Sequence, residues 1–461
     1  MGIIYAYVMP HPPLAVPAVG GGKEKGIKDT LAAYDEAAVH IAKLAPETII
    51  YITPHNVLYA DYFHISPGKS AKGDFSRFGA PSARIEAEYD TELAAAIASI
   101  AAKKGIPAGS LGEKDAKLDH GYMVPAWFIN RRYSDYKALR VSQSGMEPAE
   151  HYKLGQVIAE ASQTLGRKTV LIASADLSHK LTHEGPYGYS PAGAKFDNEI
   201  KEILKNGDYL TYLTIPDELR EDAAECGYNS IAVMAGAFDR RKVRTKLISY
   251  EGPFGVGYAV ASAEPGEDDP VRDFLDQYIS KSIARAQKSR ESEDDYRTLA
   301  RNSLEYAVEN GGEMPVPDDI SYELKGSKAG VFVSIHKNGR LRGCIGTLAP
   351  IAKSVAHEII RNAVSAGLND SRFEPVTASE LPYLTYKVDV LSPPERIPGP
   401  QELDVKRYGV IVKSGYRQGV LLPNLDGIDT VEEQIAIARK KAGIPESAEV
   451  QLERFEVVRH E

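Results

Sequence analysis

The chain has 461 residues and carries 55 lysines and arginines against 64 aspartates and glutamates, a formal net charge of −9. At roughly 150 residues per domain, two to four domains are expected, each long enough to bury a core. A composition of 43% hydrophobic and 26% charged residues belongs to folded soluble protein, the acidic balance argues against nucleic acid as a partner, and the lack of a run of about 18 apolar residues argues against a membrane span.

The first apolar run has no basic residues before it and is interrupted by His11-Pro12-Pro13, so a signal peptide is not expected. Cys226 and Cys344 are the only cysteines and lie far apart, which offers neither a disulfide framework nor a zinc ribbon. A cytoplasmic protein is the expectation.

Ile3 to Val8 reads as a strand and Ile27 to Leu44 as a helix. Thr48 to Thr53 is a second strand, and Thr91 to Lys104 a helix with alanine-rich faces. Leu139 to Ser142 and Thr169 to Ala173 are further strands, separated by a helix from His151 to Leu165. Strands alternating with helices predict βαβ units, and so an α/β N-terminal domain with a mainly parallel sheet. Residues 57–90 break this rhythm and predict a hairpin or excursion. From Ser262 to Pro270 the chain is acidic and rich in breakers, the composition of a linker. A charged helical stretch follows, from Val271 to about Ser292, and a new helix begins at Tyr296. Strands then come in pairs. Gly330 to His336 and Arg340 to Leu348 flank Lys337-Asn338-Gly339, and Asn-Gly is the strongest short hairpin signal. Tyr408 to Lys413 and Gly419 to Leu422 make a second pair, with helices at Ala352 to Ala366 and Val431 to Ala442. This half reads as α+β.

Three of the early strands end alike: Pro10-His11-Pro12-Pro13 after the first, Thr53-Pro54-His55-Asn56 after the second, and Ser174-Ala175-Asp176-Leu177-Ser178-His179 after the last. In an open α/β sheet, function gathers at the carboxyl ends of the strands, so three separate turns can bring three histidines to one point. Imidazoles with one carboxylate suit non-haem Fe(II). Glu225 is the candidate carboxylate, just before an apolar helix from Ser230 to Phe238. Without the histidines it would read as a first-turn acid favouring the helix dipole. Cys226 beside it is the alternative ligand. Adjacent side chains point apart, so one of the two is expected to reach the metal.

Together with Leu118-Asp119-His120-Gly121 and Pro125, these motifs resemble the class III extradiol ring-cleaving dioxygenases, and most nearly their Memo-like branch, over residues 1–262. The resemblance implies Fe(II), with other divalent metals as alternatives, held by His11, His55 and Glu225 or Cys226. It implies His179 as acid/base, His120 as a histidine of the substrate pocket and Asp176 as an orienting or substrate-binding acid. The expected activity is dioxygenase-type oxidation of an aromatic or catecholic small molecule. Metal binding without turnover, as a redox or scaffold protein, is the alternative. His183 and Tyr187 lie in a loop that reads either as a cover for the site or as an ordinary aromatic loop. Tyr122, Trp127 and Phe128 read as pocket or core.

In the second half, Leu341-Arg342-Gly343-Cys344-Ile345-Gly346 puts Arg342 and Cys344 on one strand face, where the guanidinium would favour the thiolate and the glycines leave room for an approaching group. A small buried cysteine beside a snorkelling arginine is the alternative. The hexapeptide, with Asn369-Asp370-Ser371-Arg372-Phe373, resembles the signature of the AMMECR domain and extends over residues 293–461, leaving residues 263–292 as a charged linker and helix. Arg342, Gly343 and Cys344 are its candidate site. The two domains together are similar to the fused member of the AmmeMemoRadiSam system, which implies a radical-SAM partner protein. Homo-oligomers are common among parallel-sheet domains, though no interface pattern stands out.

Overall fold

Runs of β-branched and aromatic residues build the sheet of the N-terminal half. In the computed structural model, which describes residues 2–114, 117–425 and 427–461, its strands are β1 (Gly2–Met9), β2 (Thr48–Thr53), β3 (Phe63–His64), β4 (Ser70–Phe75), β5 (Ala80–Glu88), β6 (Ala108–Gly109), β7 (Lys137–Ser142), β8 (Lys168–Ser174), β9 (Arg241–Glu251) and β10 (Tyr258–Asp268). Six of them form one sheet in the order β7-β2-β8-β1-β10-β9. The first four are mutually parallel, and β10 and β9 add antiparallel at one edge. Every residue of β2 is buried, as a strand covered on both faces must be. Ile50 and Ile52 pack on one face with Leu139, Val141 and Leu171. Ile49 and Tyr51 pack on the other with Val170 and Ile172. Parallel pairing has one consequence for function: β1, β2, β7 and β8 all end at the same edge of the sheet.

One sequence expectation is met and another changes. Residues 57–90 hold a hairpin, with β4 and β5 pairing antiparallel. The acidic stretch from Ser262 is not a linker as far as Asp268, because β10 runs through it. Its acids pair with bases on β9: Arg244 with Glu264 at 2.8 Å and Lys242 with Glu267 at 3.4 Å. Opposite charges across a strand pair stabilise it, and the composition of one strand does not reveal the other.

The chain folds as two compact units, Met1–Ile279 and Ser280–Glu461, which divide within the helix Phe274–Glu291. The second unit has β11 (Gly330–Lys337), β12 (Arg340–Gly346), β13 (Leu384–Leu391), β14 (Glu395–Ile397), β15 (Tyr408–Ser414), β16 (Arg417–Leu421) and β17 (Gln451–His460). They form an antiparallel sheet in the order β12-β11-β13-β17-β15-β16, with β14 beside β17. Asn338 (φ 56°) and Gly339 (φ 88°) make the expected β11–β12 turn, where positive φ at both positions matches the strand twist. The helices Asp295–Asn310 and Val355–Leu368 bury Leu299, Leu304, Ile359 and Ile360 against Val331, Val333 and Val388 of the sheet. No helix among the described residues is long and apolar enough to cross a membrane.

Candidate metal centre

The shared carboxyl edge brings His11 and His55 together. His11, two residues beyond β1, is buried, and its Nε2 lies 3.0 Å from Nε2 of His55 and 3.4 Å from Sγ of Cys226. One ligand atom from each of the three falls within 4.8 Å of the others. Glu225 does not join them. Its carboxylate turns back to accept the backbone N–H of Tyr228 at 2.6 Å, at the start of the helix Tyr228–Ala237. That is the first-turn role, and of the two candidate ligands it is Cys226, not Glu225, that lies with the histidines. Two features set this turn: Ala224 ends the preceding helix in the left-handed region (φ 51°), and Gly227 packs so tightly that a Cβ there would lie 2.4 Å from that of Ala175. This turn presents Cys226 to His11 and buries Glu225 behind it.

Hydrogen bonds fix the imidazole tautomers. Ser174 Oγ donates its only proton to the carbonyl of Gly121 at 2.6 Å, so at 2.8 Å it accepts from Nδ1–H of His11. Nε2 of His11 therefore carries the lone pair that faces His55 and Cys226. His179 is held in the same way: Nδ1–H donates to the carbonyl of Ala224 at 2.6 Å, leaving Nε2 as a base. Burial lowers the pKa of His11 well below the ordinary value, helped by His55, His120 and His179. His55 is exposed, but its ring faces those of His11 and His120, and desolvation with His120 brings its pKa down to about 4. Burial lowers His120 and His179 as well. All four rings are neutral near pH 7, the form that binds metals or accepts protons. Burial, with Asp176 and Glu225 nearby, pushes the Cys226 thiol well up, so a cation is needed to draw off its proton. Two imidazoles and a thiol suit iron, copper or zinc rather than magnesium or calcium.

Asp176 accepts the backbone N–H of His11 at 2.7 Å, and its other oxygen is 3.7 Å from His11 Nε2. Burial raises its carboxyl to about 7. His120 begins the helix His120–Asn130, which Asp119 caps by accepting from Tyr122 N–H. Its ring stacks on His55 with centroids 4.1 Å apart. Sequence reasoning passed over Gln143, just after β7, whose amide donates to the carbonyl of Cys226 at 3.0 Å and to Ser230 Oγ at 2.8 Å. Its signal was position alone, since it follows a fourth strand ending at the same edge.

Residues 5–261, more than half of the chain, match the family described as the catalytic LigB subunit of aromatic ring-opening dioxygenase. The chain belongs to the LigB family. Residues 297–460 match AMMECR1, so a LigB domain precedes an AMMECR1 domain. The chain is 41% identical to protein CA_C1420 of Clostridium acetobutylicum, over 98% of both chains. A protein of Thermotoga maritima is 46% identical over 36% of this chain and 98% of its own. Protein PH0010 of Pyrococcus horikoshii, a crystal structure, matches 36% of this chain and 88% of its own at 33% identity, with a TM-score of 0.33.

Within the LigB domain, Tyr122 packs on Tyr51 and Phe128 on Tyr34, and Trp127 lies against the same core. Tyr187 is exposed and sets its ring edge-on to His179 at 5.6 Å. His40, His64 and His151 lie outside the cluster. His151 is fully buried and accepts from Ser144 N–H. In the AMMECR1 domain, Arg342 pairs with Glu380 through Nε at 3.0 Å and Nη2 at 3.1 Å, holding that carboxyl down to about 2 against the effect of its burial. Cys344 accepts from Ser334 Oγ at 3.2 Å. The glycines do not leave open room there. A Cβ on Gly343 would meet the carbonyl of Ala366 at 2.0 Å, and one on Gly346 would meet the ring of Phe332 at 2.2 Å. Their small size serves packing within the domain.

Proposed function

We propose that the LigB domain is a metal-dependent oxidoreductase acting on a small molecule, with His11, His55 and Cys226 as ligands and His179 as acid/base. The observation that carries this reading is the convergence of those three ligand atoms within 4.8 Å. Iron is the first expectation and copper the second, because a thiol softens the donor set. A bound ion would supply a redox couple and Lewis acidity at that point. The protein's own part is better defined. His179 takes or returns a proton at Nε2, since Nδ1 is committed to Ala224. Asp176 holds the backbone of His11, and His120 flanks the approach to His55. An aromatic or catecholic substrate and O₂ as oxidant belong to this proposal, as does the radical-SAM partner that the resemblance implies. Co-purification of the two tagged proteins tests the partner.

A second reading is metal handling without turnover, with the AMMECR1 domain as a binding module. The thiol in place of a carboxylate favours it. Metal analysis of protein purified without oxygen tests the ligand set. Wild type and Glu225→Gln should carry near-stoichiometric metal, and His11→Ala, His55→Ala and Cys226→Ser should lose it. Metal kept by Cys226→Ser but lost by Glu225→Gln would restore the carboxylate and overturn the set proposed here. O₂ uptake by the loaded protein with catechols then separates turnover from storage.

A further inference from the structure

A cleft of about 1280 Å³ opens beside the cluster, with His55 and His120 among its lining residues. Pockets for drug-sized ligands usually fall in the range of about 300–1,000 Å³, so a single ring would leave most of this space empty. The β4–β5 hairpin forms one wall. Between its strands the short turn Ser76–Phe78 carries two notable neighbours, Arg77 and Phe78. The Phe78 ring stands edge-on to His120 with centroids 5.4 Å apart.

The charges of the cleft are unevenly matched. Glu86 pairs with Lys72 at 3.2 Å, and Asp119 with the buried Arg140 at 3.4 Å. Asp74 accepts from Ser76 N–H within its own turn. Neither Arg77 nor Arg84 has an ion pair among the described residues; Arg84 donates to the carbonyl of Pro81 at 3.3 Å, and Arg77 is the one beside Phe78 at the His120 end. A guanidinium in a cleft, next to an aromatic ring, is a docking point for a planar anion.

We propose that this cleft binds an extended organic anion, with a planar body of more than one ring lying against Phe78 and a carboxylate or phosphate paired with Arg77. The inference rests on the metal-centre reading for any reaction at the His55 end, but binding at Arg77 requires no metal.

The test uses matched naphthyl probes on the full chain, with and without added iron: 2-naphthyl phosphate against 2-naphthol, and 2-naphthoate against 2-naphthamide, titrated by fluorescence. At least one anion should bind about tenfold more tightly than its neutral twin, the scale of one charge-assisted hydrogen bond. The pair showing the preference tells phosphate from carboxylate. Arg77→Gln should abolish the preference and Arg77→Lys should keep part of it, while circular dichroism stays unchanged. Equal binding of both twins, binding of none of the four, or a preference that survives Arg77→Gln would overturn the proposal. A preference that persists in metal-free protein stands even if the metal centre fails its own test, so the two failures are distinguishable.

Discussion

A single proton on Ser174 organises the centre. Because that hydroxyl donates to Gly121, it can only accept from His11, and the lone pair of His11 is thereby turned to Cys226. The proton to be displaced by a metal then lies on sulfur, whose pKa burial has raised. Metal affinity should therefore rise with pH, by about tenfold per unit between pH 6 and 8 for one released proton. Asp176, with its carboxyl raised to about 7, adds negative charge over the same range. Chelator competition across pH should show the rise, and Asp176→Asn should flatten it. The neutral histidines set the lower limit: His55, at about 4, should not compete with metal until well below pH 6. In the metal-free protein the buried carboxyls act on stability in the other sense. Asp176 and Glu225 are both raised to about 7, so the folded state favours their protonated forms. That contribution is complete below the ordinary carboxylate range and is lost as pH rises through 7. The lowered histidines act in the opposite sense below about pH 6.5, so the carboxyl effect is read by difference: the melting temperature of wild type minus that of Asp176→Asn should fall from pH 5 to 8.

Among the elements, the parallel strands place the histidines, and the turn just before the helix Tyr228–Ala237 places Cys226 beside them. Gln143 joins the two by donating from the end of β7 to the carbonyl of Cys226 and to Ser230 at the head of that helix. Removing a group that orients a ligand commonly costs about 10–100-fold in metal affinity. Gln143→Ala should weaken metal binding on that scale while leaving the fold intact, and a melt that collapses together with the metal would instead mark Gln143 as purely structural. The histidine turns were legible in the sequence because strand-Pro-His is a local pattern, repeated after β1 and β2. The choice between Glu225 and Cys226 was not. It depends on the left-handed turn at Ala224 and on how closely Gly227 packs against Ala175, contacts made by residues some fifty positions apart in the chain. The length of β10 was hidden for a similar reason, since its acids look like a linker until β9 provides the bases.

On the scale of the whole molecule, each unit has its own apolar core. Calorimetry of the metal-free chain should resolve two transitions. A ligand that binds only the folded state at 100 times its Kd stabilises by about 2.7 kcal/mol, so iron should raise the LigB transition and leave the AMMECR1 transition in place. A shift of both, or of the AMMECR1 transition alone, would place the metal elsewhere.

Local patterns thus determined the two-part organisation, the parallel sheet, the Asn-Gly hairpin and the histidines at the strand ends, because hydrophobic periodicity, proline and turn residues act over a few positions. Tertiary structure alone decided that the Cys226 sulfur and not the Glu225 carboxylate faces His11, that Ser174 and Gln143 support the site, and that the β4–β5 hairpin carries Arg77 and Phe78 into the cleft. Those outcomes depend on which distant segments pack together and on how much room they leave, and a side chain's neighbours three strands away leave no mark on its own stretch of sequence.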